Sequence, residues 1–185
     1  MKNEIYDNML SAYDLTTEQQ KRNAIFEVNQ QVILAGLYNG GFFDVAAFYG
    51  GTCLRIFHGL QRFSEDMDFS LLAPDDKFDF TKYFQPIIDE FAIVGREVEI
   101  KKKDKKGFGK VESAFLKDNT DVYDVSFRTD KSIKIKIEVD TRPPLNFRTE
   151  QKLLLQPHSF MTRCFTLPDL FAGKMHWCTG YGKTG

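Results

Sequence analysis

The feature that most restricts this chain is a strand–turn–helix–strand passage between residues 45 and 72. VAAFYG (45–50) is a short apolar run that predicts a fully buried strand. Gly50-Gly51-Thr52 follows as a turn, and TCLRIFHGL (52–60) places Leu54, Phe57 and His58 at helical spacing. The next strand, DMDFSLL (66–72), opens on Asp66-Met67-Asp68. Alternate side chains of a strand share a face, so Asp66 and Asp68 point together and Met67 turns into the core. Two carboxylates side by side repel each other unless a cation sits between them. Mg²⁺ (or Mn²⁺) takes a few carboxylate oxygens and completes its shell with water and substrate phosphates. Gly50 and Gly51 let backbone N–H groups approach a triphosphate, and Thr52 adds a hydroxyl at a helix N-terminus. A lone Asp-x-Asp is usually a solvated pair, and a lone Gly-Gly is usually just a turn. Joined in this order, they are far more specific.

A two-metal site needs a third carboxylate. SIKIKIEVD (132–140) is the clearest alternation in the chain, with Ile133, Ile135, Ile137 and Val139 on one face. Lys134, Lys136, Glu138 and Asp140 take the other face, so Glu138 or Asp140 can complete the set if this strand neighbours the Asp66 strand. Glu138 is preferred because Asp140 lies nearest the strand end. The competing reading is a solvated face, which Lys134 and Lys136 favour. Arg55 and Arg62 can each fork onto a triphosphate, or pair with Glu65 or Asp66. Ser64 can bond a phosphate or fix its own loop, and the loop role is favoured. KKKDKKGFGK (101–110) is the strongest basic run; it predicts a solvated hairpin tip rather than an RNA contact. His58, His158 and His176 form no spaced ligand set.

The rest of the chain supplies a frame for these residues. Thr16 or Thr17 caps a helix through Asn39, which Gly40-Gly41 ends. A second long helix is expected from Phe78 to Val94, and strands over 96–103, VESAFLK (111–117), DVYDVSFR, EQKLLLQP and SFMTRCFTL. A short helix, PDLFAGKMHW (168–177), comes last. This order predicts an α+β fold, a mixed sheet flanked by helices. With 18 Phe residues, aromatic packing is expected to dominate the core. Formal net charge is −1, so any polyanion site is a local patch. Three scattered cysteines, no apolar leader and no membrane-length apolar run predict a reduced, cytoplasmic chain that does not enter a membrane.

GGTCLRIFHGLQRFSEDMDF resembles the signature of the AbiEii/AbiGii toxin family of nucleotidyltransferases, within the polymerase-β-like superfamily. The match lies in Gly50, Gly51 and Thr52, followed by Arg62, Ser64, Asp66 and Asp68. IKIEVDTRPP resembles the strand carrying that family's third acid, at Glu138 or Asp140. LPDLFAGKMH resembles its next motif, whose lysine matches Lys174, a group suited to neutralising phosphate charge in a transition state. The resemblance covers roughly residues 20–176. It implies a nucleotidyltransferase-type fold, an NTP substrate, Mg²⁺ dependence and nucleotidyl transfer. In some members it implies a toxin that modifies tRNA or other RNA and is paired with an antitoxin. The expected division is a catalytic core over 1–166 and, over 167–185, the start of a C-terminal helical region whose further motif is not present. That departure keeps a second reading open: a remnant that binds nucleotide or a partner protein without turnover. A metal-dependent nuclease would use similar acids, but the sequence Glu138-Val139-Asp140 lacks the E-x-K that such a site favours.

Overall fold

The computed structural model describes residues 4–103, 119–143 and 146–172. The segment VESAFLK, Lys174 and the second half of the last predicted helix lie outside the described residues. The first helix, α1 (Glu4–Ser11), has no counterpart in the sequence reading; it is short and buries only Tyr6 and Met9. Helix α2 (Glu18–Asn39) starts at Thr17 through a capping box. The Thr17 hydroxyl accepts from the Gln20 amide at 3.1 Å, and Gln20 Oε1 accepts from the Thr17 amide at 2.9 Å. Gly40 closes the helix.

The stretch from Phe78 to Val94 is not one helix. A 3-10 turn, Phe80–Tyr83, is capped by Asp79 and leads into α4 (Phe84–Ile93). Pro86 explains the late start: it lacks an N–H, which a first helical turn tolerates and a helix interior does not. Helices α2 and α4 pack closely because of Gly36, where a Cβ would stand 2.6 Å from the Ile87 Cα.

Strands β1 (Ala46–Tyr49), β2 (Met67–Leu71), β3 (Val98–Lys102), β4 (Thr120–Phe127), β5 (Lys134–Asp140), β6 (Thr149–Leu154) and β7 (Phe160–Phe165) form one sheet. Its order is β3-β4-β5-β2-β1-β7-β6. The β1–β7 and β2–β5 pairs are parallel and the others antiparallel, so the sheet is mixed, as expected. Helix α3 (Gly50–His58) joins β1 to β2 and packs on the face that carries Phe48, its Phe57 ring 6.4 Å from the Phe48 ring.

That apolar face holds the core. Phe69 stacks on Phe48 at 5.0 Å and meets Phe42 edge-on at 5.2 Å. Phe42 also packs edge-on against Phe80 and Tyr83. Met67, Phe69, Ile135, Ile137 and Val139 are all fully buried. No described helix is long and apolar enough to cross a membrane.

Candidate active site

The opposite face of the same strands carries the acids. In the parallel β2–β5 pair Asp68 lies directly opposite Glu138, and Ser70 opposite Asp140. Glu138, rather than Asp140, is thus the register neighbour of the Asp-x-Asp. Asp140 lies one step further along the face, is 2% exposed, and its Oδ1 accepts from the Arg142 amide at 2.9 Å. Asp66 precedes β2 but joins the same face, because Lys136 on β5 reaches both it and Glu138. The Lys136 Nζ stands 3.0 Å from Asp66 Oδ2 and 2.9 Å from Glu138 Oε1.

Gly50 makes room for Asp68. Its φ of +80° is left-handed, and a Cβ there would stand 2.9 Å from the Asp68 Cγ and closer still to Oδ2. The turn between β1 and α3 therefore lies directly against the carboxylate. Burial, then the charges of Glu138 and Asp66, push the Asp68 carboxyl up to about 7, with Lys136 pulling the other way. Burial opposes the charge on Lys136, but its hydrogen bonds to Glu138 and Asp66 outweigh this and hold its pKa above the usual lysine value. Tyr49, the β1 partner of Asp68, has its phenol raised by burial and then by Asp68, Asp140 and Glu138. Its ring begins an aromatic stack, with Phe165 at 5.1 Å and Phe147 a further 4.3 Å away. The stack walls the acids on the β7 side.

The loop ahead of Asp66 is held from behind. The buried Thr52 hydroxyl donates to the carbonyls of Asp66 and Ser64. Gln30 Nε2, from α2, donates to the carbonyls of Ser64 (2.9 Å) and Glu65 (3.2 Å). Thr52 thus shapes the acid loop with its side chain. Arg55 pairs with Glu27 of α2, not with Glu65 or Asp66, and its Nη1 donates to the carbonyls of Leu60 and Gln61. That guanidinium braces α3 against α2. Arg62 is exposed and Ser64 half-buried in the same loop. Within the basic run, Lys101, Lys102 and Lys103 pair with Glu99, Asp121 and Asp124.

The acids lie on an open face, with the Asp66 side chain 44% exposed. A hollow of about 410 Å³ lined by Asp76, Lys102, Asp121 and Arg142 lies off the acid row and includes none of its members. The donor set suits a hard divalent cation: three carboxylates, from Asp66, Asp68 and Glu138, on adjacent strands. Their side chains are not closed into a cage; among the described residues no three His, Cys, Asp or Glu groups are gathered tightly enough to hold a metal ion.

The model of one protein family, described as nucleotidyl transferase AbiEii toxin, Type IV TA system, matches residues 32–183. The chain belongs to the AbiEii nucleotidyltransferase toxin family. Several solved structures share its fold, two of them as follows. MenT4, a nucleotidyltransferase toxin from Mycobacterium tuberculosis H37Rv, superposes with a TM-score of 0.57 at 19% identity, over 95% of this chain and 58% of that one. JHP933 from Helicobacter pylori gives 0.51 at 17% identity, over 86% of this chain and 57% of that one. The chain thus spans less than two thirds of the length of either structure. Comparison with curated proteins gives no match.

The sequence reading missed two side chains of this candidate site. Gln30 was visible as a polar residue on an apolar helix face. Lys136 was visible as a same-face neighbour of Glu138, but its reach to Asp66 depends on strand pairing.

Proposed function

We propose that this chain is the catalytic core of a metal-dependent nucleotidyltransferase toxin that transfers a nucleotide from an NTP to an acceptor hydroxyl on tRNA or another RNA. The observation that carries this reading is the register of Asp68 against Glu138, with the Gly50 turn packed on Asp68. Asp66, Asp68 and Glu138 would hold Mg²⁺ or Mn²⁺, with Asp140 the next carboxylate along the face. Bound there, a divalent cation neutralises triphosphate charge and lowers the pKa of the attacking hydroxyl. The backbone N–H groups of Gly51 and Thr52, at the start of α3, take triphosphate oxygens. Arg62 reaches a phosphate from the exposed side of the acid loop, and Ser64 supports that loop. Lys174, outside the described residues, neutralises charge as pyrophosphate leaves. The acceptor hydroxyl attacks the α-phosphate in line. In this reading residues 1–166 form the core, 167–185 begin a helical region, and a cognate antitoxin restrains the protein in the cytoplasm.

The test is calorimetric titration of each NTP with Mg²⁺ into the chain and into its Asp66→Ala/Asp68→Ala variant, followed by transfer of label from the bound NTP to RNA. Binding that needs both metal and acids is expected. An intact chain that binds no NTP sinks the proposal.

A further inference from the structure

Lys136 stands between two of the carboxylates assigned to metal, with its Nζ 3.0 Å from Asp66 Oδ2 and 2.9 Å from Glu138 Oε1. Asp66 stands just ahead of β2 and Glu138 within β5, and the ammonium links them. The same acids, with Asp68, do not close into a metal cage. At Asp66 and Glu138 the ammonium itself bears on this geometry. A carboxylate settles about 2.7–2.9 Å from an ammonium nitrogen, whereas Mg²⁺ draws its oxygens in to about 2.0–2.1 Å in an octahedron. Side chains turned to the first are not arranged for the second. A divalent ion bonded to these oxygens would also lie within a few ångströms of Nζ, where like charges in a half-buried site repel strongly.

Resting on the nucleotidyltransferase reading above, we propose that Lys136 is a built-in counter-cation. It holds Asp66 and Glu138 in the metal-free protein and must swing away when a divalent cation takes them. The side chain is suited to the movement. Lysine is a compact charge on a flexible four-carbon stem, and this one is 32% exposed, so its path to solvent is open. Asp124, its register neighbour on β4, is already held by Lys134 at 2.8 Å and by Lys103 at 3.9 Å, so the released ammonium turns to solvent. Affinity for metal alone is then set by competition with the protein's own cation. The lysine also offsets part of the repulsion among the clustered acids before substrate arrives.

The experiment is Mn²⁺ titration without nucleotide, followed by calorimetry, on the intact chain, on Lys136→Met and on Asp66→Asn/Glu138→Gln. Lys136→Met is expected to bind Mn²⁺ at least tenfold more tightly. Its metal-free melting temperature should fall, and saturating Mn²⁺ should restore it. Equal or weaker Mn²⁺ affinity in Lys136→Met overturns the proposal, since the lysine would then support the site rather than occupy it. If that variant does not fold, the lysine Nζ resonance of the intact ¹⁵N-labelled protein decides. It must lose its ion-paired character at saturating Mg²⁺, and an unchanged signal overturns the proposal. Loss of Mn²⁺ binding in the acid variant alone, with Lys136→Met unaltered, would leave the metal site standing and remove only the lysine's role. Mn²⁺ binding by none of the three chains would remove the metal site and the lysine's role together.

Discussion

The two faces of strands β2 and β5 are built from alternate residues of the same short segments, yet they do opposite work. Met67, Phe69, Ile137 and Val139 face the helices and are fully buried among aromatic rings. Asp68, Glu138 and Lys136 face outward, half-buried, with their charges set against one another. The first face gains free energy from apolar burial. The second loses some, because carboxylates are held close and partly dry. The packed face is what makes the strained face possible: a rigid sheet holds like charges at a spacing that a loop would relax.

Four measurements can break or sharpen that contrast, starting with the largest effect. Phe69→Ala empties the centre of the ring cluster and should cost about 3–5 kcal/mol in denaturant unfolding. A loss below about 1 kcal/mol would mean that this face does not carry the fold. Gly50→Ala touches the acid face. The left-handed backbone costs roughly 1–2 kcal/mol, and crowding against Asp68 adds about as much. Asp68→Ala should recover the crowding part in a double-mutant cycle; no recovery would show that the two residues do not press on each other.

Asp68 itself should show the opposite sign to Phe69. With its carboxyl raised to about 7, the folded, metal-free protein keeps a proton that the unfolded chain gives up near its ordinary value of 3.8. The stability this group contributes is complete below about pH 4, falls as pH rises, and is lost above about pH 7. Asp68→Asn should remove that slope and stabilise the metal-free protein at pH 8 on the order of 2 kcal/mol, the open face screening the rest. It should also abolish NTP binding. A variant less stable than the parent at pH 8 would refute the strained-face account. Thr17→Ala, at the exposed start of α2, should cost about 1 kcal/mol through its lost cap and leave NTP affinity unchanged. A change in affinity would mean that α2, through Gln30, transmits strain to the acid loop.

Much of this was legible before any coordinates. The helix cap at Thr16 or Thr17 and the alternation in SIKIKIEVD are local signals, written in neighbouring residues, and each appears where expected; the helix expected from Thr52 starts two residues earlier, at Gly50. Apolar spacing suggests one long helix from Phe78, but Pro86 fits only a first helical turn, and α4 starts at Phe84. Helix α1 was passed over because eight residues give too short a periodic signal. Arg55 was matched to the acids nearest in sequence, while its partner Glu27 comes from another helix.

The sequence by itself determined which residues alternate, where helices begin, and that two carboxylates share a face beside a glycine turn. These follow from backbone geometry over a few residues. Only the tertiary structure decided that Glu138 rather than Asp140 lies opposite Asp68, that the Thr52 hydroxyl serves the acid loop, and that Lys136 bridges Asp66 to Glu138. The register between β2 and β5 is set by how two distant segments fit their apolar sides beneath the same helices, and a slip of one residue would turn every acid to the wrong face.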